Sequence, residues 1–152
     1  MSLLRLRIGA IILVGVVASI IFGLVFCQPI TVLAQGSVLA IPSHRHLQYS
    51  FNETSSSPHA TYGAFTSDNG VTLYVMSAAE FNNFTEGKPT PVIYSTGEAT
   101  SASLNYGKNG GNSYAYFNAA GQYFFVFYNA GDSTTSVTIT SALSVEKCQI
   151  PP

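Results

Sequence analysis

Charge is scarce in this chain. Lys and Arg number six and Asp and Glu seven among 152 residues, only 9% of the total, and tryptophan is absent. A protein that grips nucleic acid through its phosphates needs a clustered basic surface. Beyond the first seven residues the basic side chains are Arg45, Lys88, Lys108 and Lys147, set against Glu53, Asp68, Glu80, Glu86, Glu98, Asp132 and Glu146. That mildly acidic balance sets nucleic-acid binding aside. Disorder is excluded too, because disordered chains pair high charge with few aromatics, whereas this one has nine Tyr and ten Phe.

Residues that carry chemistry are equally thin: three His, two Cys and two Met. Nucleophilic catalysis needs a nucleophile, a base and a group that orients the base, yet no Gly-x-Ser-x-Gly elbow occurs. The acids fall at turns, in a helix cap and near the ends, where solvation explains them better than a facing catalytic pair. Enzyme activity is not expected, and neither is a cofactor. His44 and His46 would share one face of a strand, a spacing that can chelate copper or zinc, with His59 or Met76 as conceivable further ligands. A polar stretch around Arg45 accounts for the pair without a metal, and no metal site is expected. No repeat of 20–50 residues is present, so solenoids are excluded.

What is present begins with an uncharged run of nineteen residues, from Ile8 to Phe26, preceded by Arg5 and Arg7. A bilayer core takes roughly 20 apolar residues. The expectation is a cytoplasmic N-terminus over 1–7 and a transmembrane signal-anchor over 8–27. The rest of the chain would lie outside the cytoplasm, by the positive-inside rule, making a single-pass protein of the cell membrane. The alternative is a cleaved signal peptide, with Val32-Leu33-Ala34 at the processing site. Residues 28–43 read as a linker, 44–148 as an extracytoplasmic domain and 149–152 as a tail. Cys27 and Cys148 lie near the two ends of that domain, where a disulfide is permitted outside the cytoplasm; two free thiols are the other reading. Asn52-Glu53-Thr54 and Asn83-Phe84-Thr85 are glycosylation sequons.

Within the domain, short runs of period two alternate with turn residues. Strands are expected over 38–41, around Leu47, Tyr49 and Phe51, over 61–66 and 71–75, and over 92–95, 102–106, 114–117, 122–128 and 136–145. Asp68-Asn69-Gly70 reads as a turn, and 108–112 as another. One helix, over 78–86, interrupts the pattern. Ser77 and Glu80 form a capping box, Phe81 and Phe84 share a face, and Gly87 with Pro89 and Pro91 ends the helix. Leu73, Val75, Phe81, Phe84, Phe125 and Phe127 are the expected core. The fold class is all-β, a jelly-roll-like antiparallel β-sandwich with one short helix, preceded by a single transmembrane helix. In the strand 123–128, Tyr123, Phe125 and Phe127 alternate with Phe124, Val126 and Tyr128, so both faces are apolar. The second set is the candidate interaction surface, to be covered by the helix, by another protein or by glycan.

Gly121-Gln122-Tyr123-Phe124-Phe125-Val126-Phe127-Tyr128-Asn129 resembles the late strand of GOLD (Golgi-dynamics) domains, lumenal jelly-roll sandwiches that mediate protein contacts. The resemblance implies a non-enzymatic fold that works by binding. The chain departs from membrane cargo receptors of that kind in having its apolar segment at the N-terminus, with no heptad stretch or coat-binding tail. It also resembles archaeal type IV pilins in its apolar N-terminal segment and Ser/Thr-rich β head. Ile8, in Arg7-Ile8-Gly9-Ala10, occupies the place of that family's basic residue. The expected function is protein binding by a membrane-anchored β-sandwich, as an envelope accessory or assembly subunit with a protein partner or a second copy of itself. The alternatives are a pilin-like filament subunit or a secreted carbohydrate-binding module using Tyr114, Tyr116 and Tyr128.

Overall fold

The structure, a computed structural model, describes residues 26–53, 59–104, 116–117 and 119–149. Eight strands and one helix follow in order: β1 (Phe26–Leu33), β2 (Val38–Ile41), β3 (Arg45–Glu53), β4 (His59–Ser77), α1 (Ala78–Thr85), β5 (Tyr94–Leu104), β6 (Tyr116–Phe117), β7 (Gly121–Asn129) and β8 (Thr135–Gln149). They form one hydrogen-bonded sheet with the path β1-β8-β4-β7-β3; β2 pairs with β8, and β5 and β6 with β4. The five strands of the path curl into a nearly closed barrel.

The expected two-sheet jelly roll is corrected by the behaviour of β4 and β5. Asp68-Asn69-Gly70 does not reverse the chain. It lies inside the 19-residue β4, where the register against β5 jumps between Thr66 and Val71. The Asn69 amide donates to Thr135 Oγ1 at 3.2 Å, which pins this bulge to the start of β8. β4 then changes partner: Thr61–Ser67 pair with β8 and Thr72–Ser77 with β7, while β5 runs along its other edge. In the same way the expected strands 92–95 and 102–106 merge into β5, which absorbs a second register shift at Gly97, in the left-handed region at φ 66°. A bulge bends a strand and increases its twist without ending it. Two such bends carry the sheet around the core, where turns would have cut it into two layers.

The inside of the barrel follows the period of two. Leu47, Phe127 and Leu73 align across β3, β7 and β4, and so do Tyr49, Phe125 and Val75. Leu73, Val75, Phe125 and Phe127 are fully buried, with Ile41, Val137, Ile139 and Leu143 from β2 and β8. Phe65 meets Phe127 edge to face at 5.5 Å. Gly63 lets β4 and β8 approach: its φ is 143°, and a Cβ there would lie 2.6 Å from the Ala142 carbonyl oxygen. Helix α1 packs on the outside of the barrel. Its capping box is formed, with the Glu80 amide donating to Ser77 Oγ at 3.3 Å and the Ser77 amide to Glu80 Oε2 at 2.6 Å. Phe81 and Phe84 are half-buried, so they cap the outer face and do not join the central core.

The N-terminal expectation is corrected as well. Among the described residues no helix is long and apolar enough to cross a membrane. Phe26 and Cys27, assigned to the end of the anchor, open strand β1, and the linker 28–43 is mostly β1 and β2. Residues 8–25 lie outside the described residues. The single-pass anchor, the membrane as partner and the cell-membrane location all rested on that helix, and the observed architecture does not support them.

Candidate functional site at an open seam

The barrel is not closed between its first and last strands. β1 pairs only with β8 and β3 only with β7 among the described strands, leaving one edge of each open. Pro29 fits this placement: proline has no N–H to give a ladder and is confined to edge strands. Ile30, Thr31 and Val32 of β1 face Ser50, Phe51, Asn52 and Glu53 of β3 across a recess of about 400 Å³, which Val145 of β8 also lines. Ile30 is 47% exposed there, unusual for so apolar a side chain. An unpaired edge presents a row of N–H and C=O groups able to template another strand.

The walls of the recess are tied to the core. Phe51 stacks with Tyr123 at 5.9 Å and lies 4.9 Å from the Phe125 ring. Thr31 Oγ1 lies 3.5 Å from Ser144 Oγ. Glu53 is only 5% exposed although it is a carboxylate. Tyr123 donates its hydroxyl to the Ala119 carbonyl at 2.7 Å. Burial pushes the Tyr123 phenol above its ordinary value, and the carboxylates of Glu53 and Glu80 add to the shift. Thr61, opposite Val145 in the register, has a buried hydroxyl with no hydrogen-bond partner among the described residues.

The candidate surface on β7 has a cover in its own chain. Phe81 stacks on Phe124 at 4.4 Å, and Phe84 meets Tyr128 edge to face at 5.8 Å. Val126 is fully buried and Met76 beside it likewise; Phe124 and Tyr128 keep partly exposed rims. His46 joins this layer, 5.8 Å from Phe81 and 5.4 Å from Phe84.

His44 and His46 do not share a strand face. His44 sits in the β2–β3 turn at φ 54° and reaches Asp132 at 3.1 Å. No group of three metal-ligating residues occurs among the described residues. Asn52 is exposed at the mouth of the seam, and Asn83 is half-buried on α1. Cys27 and Cys148 fall in the neighbouring strands β1 and β8, with their side chains outside the described residues. The side chains of His59 and Tyr116, all of Tyr114 and the 108–112 loop lie outside them too.

Two features escaped the sequence reading. The first is β1, whose Ile30-Thr31-Val32 alternation was legible but stood next to a longer apolar run that dominated the assignment. The second is Asn129, 1% exposed. Its amide donates to the carbonyls of Ile41 at 3.0 Å, Pro42 at 3.2 Å and Ser133 at 2.7 Å, and its Oδ1 accepts from the Gly131 amide at 2.9 Å. One side chain thus joins the β2–β3 turn to the β7–β8 turn. An Asn closing a strand before a Gly-Asp pair was the available signal. No protein-family model matches the chain, and no curated protein matches it in sequence.

Proposed function

We propose that this domain acts by binding, taking an extended segment of a protein partner into the seam between β1 and β3. The observation that carries the reading is the pair of open strand edges facing each other across one recess. A strand inserted there would satisfy both edges, the mode in which main-chain hydrogen bonds supply affinity and side-chain pockets supply specificity. Ile30, Phe51 and Val145 offer apolar ground for alternate side chains of the incoming segment, while Ser50 and Asn52 keep the outer rim polar. Two of the buried polar side chains are spent on structure: the Asn129 amide holds three carbonyls, and Thr135 Oγ1 takes the Asn69 amide. A glycan on Asn52 would stand in the mouth of the seam, so the reading takes that sequon to be unmodified and leaves Asn83 as the candidate for modification.

Hydrogen exchange on the purified protein is the first test. Of the adjacent pair Thr31 and Val32, whose amides point to opposite edges of β1, one should exchange much faster than the amides of β4 and β7, and so should the alternate amides of β3 on its seam edge. A photo-crosslinking residue placed at Thr31 or at Ser50 should then capture the same segment of the same partner in cells, and one placed at Ser101 on β5 should not. Full protection of the seam amides would show the gap to be closed by the chain itself and end this reading. Capture of a second copy would assign the seam to self-assembly, as in a filament subunit.

A further inference from the structure

A second recess lies away from the seam, where the β2–β3 turn meets the end of α1. It measures about 480 Å³ and is lined by His44, Arg45, His46, Phe84, Thr85 and Tyr128, within the range of ~300–1,000 Å³ typical of small-molecule sites. We propose that it binds a carboxylated sugar, an inference that stands independently of the seam.

The electrostatics choose an acid. Lys88 is engaged with Glu86, whereas the Arg45 guanidinium has no ion-pair partner among the described residues. A free guanidinium at the edge of a recess is a ready bidentate receptor for a carboxylate. Two imidazoles stand beside it. Asp132 lies 3.1 Å from His44 on the exposed side of the turn. The C-terminal end of α1 would oppose an anion through its carbonyls, but these are already occupied. Asn82 O accepts from the Glu86 amide, Asn83 O from the Lys88 amide and Phe84 O from the Gly87 amide.

The shape of the wall favours a sugar over a phosphate. Phe84 and Tyr128 line the recess with aromatic carbon, beside the Tyr128 hydroxyl and the Thr85 hydroxyl, which donates its proton to the Asn82 carbonyl at 2.8 Å and is left as an acceptor. Such a mixed wall suits a pyranose, whose C–H face lies on an aromatic ring while its hydroxyls meet polar groups at the edge. A phosphate needs several converging donors, and the Arg45 backbone amide is spent on the Pro42 carbonyl. The turn that carries these side chains is also built to hold one shape. His44 adopts φ 54°, uncommon for a residue with a side chain. It is held there by its bond to Asp132 and by Ser43, whose hydroxyl donates to the Gly131 carbonyl at 2.9 Å.

The test is calorimetric titration of the full chain with tetragalacturonate, a hyaluronan tetrasaccharide and 3′-sialyllactose, with maltotetraose and inorganic phosphate as controls. At least one acidic sugar should bind tenfold or more tightly than maltotetraose, with amide shifts confined to residues 44–46, 84–85 and 128. Arg45→Gln should weaken it at least tenfold, Arg45→Lys less, both at unchanged thermal stability because Arg45 is exposed. If none of the three acidic sugars binds, if phosphate binds as well as they do, or if Arg45→Gln leaves affinity unchanged, the proposal is wrong.

Discussion

One side of this barrel is covered twice, and the other has no second layer among the described residues. Where β4 and β7 pair, the inner face is filled by Leu73, Val75, Phe125 and Phe127, and the outer face is roofed by Phe81 and Phe84 of α1. Where β1 and β3 face each other, no strand among the described residues bridges the edges and Ile30 stands half in solvent. Both regions are made of aromatic and β-branched residues, so composition does not separate them. The difference is saturation: the first region has used its hydrogen bonds and its apolar surface, while the second retains some of each. The first region holds the fold, and the second is where the proposed strand recognition would act.

The contrast should appear first in truncation. Phe125→Ala removes a fully buried ring and is expected to cost about 3–5 kcal/mol. Ile30→Ala, on the seam, should cost about 1 kcal/mol or less. Denaturant midpoints of the two variants check this, and equal losses would mean the seam is as tightly packed as the covered side.

Asn129 joins turns next to the closed side and gives the next effect. Asn129→Asp removes a buried donor that serves three carbonyls and places a carboxylate against them, for a loss of about 1–3 kcal/mol at neutral pH. Its sign with pH is fixed by burial. The new carboxyl would titrate above its unfolded value of about 3.9, so the variant should regain stability as pH falls through the raised folded value. A variant whose deficit stayed constant from pH 7 to pH 4 would show that Asn129 acts through shape alone.

How much of this was legible in the residues depended on how local each feature is. The helix was legible because Ser77 and Glu80 satisfy each other within one turn, and it ends at Thr85 with Glu86 as its cap. The alternation in β3 was legible because the period of two records which face is buried, whereas β7 is apolar on both faces and carries no such record. The fate of Asp68-Asn69-Gly70 was not, since those residues suit a reversal and a bulge alike and the choice is made by Thr135, 66 residues away. The histidine pair misled for a related reason: the positive φ of His44 takes it off the strand. The outer face of β7 admitted several covers, and the geometry supplies α1. The seam lies between two strands that are near neighbours in the chain, and it exists because β1 pairs with the late strand β8 and β3 with the late strand β7.

The smallest effect sharpens the boundary between the two regions. Tyr123 spans it, with its phenol raised by burial and by Glu53 and Glu80. The folded phenol keeps its proton to higher pH than the unfolded one. The stability this provides is therefore complete below pH of about 10 and is lost as pH rises through the raised folded value. Tyr62 and Tyr94 are shifted in the same direction. Tyr123→Phe should give a shallower fall in melting temperature between pH 9 and 11 than the parent chain. An identical fall would assign alkaline sensitivity to the other two.

The pairing of β1 and β2 with β8 also sets a timetable. Val38 of β2 pairs with Thr138 of β8, so the early strands have no ladder partner until the late one has been made. At ~5–20 residues per second, translating the roughly hundred residues between them takes on the order of 5–20 s. During that interval β1, β2 and the edge of β3 are exposed together on the ribosome. A nascent chain in that state is open to strand-capturing helpers and to self-association, and its folding yield should depend on what occupies those edges before β8 emerges.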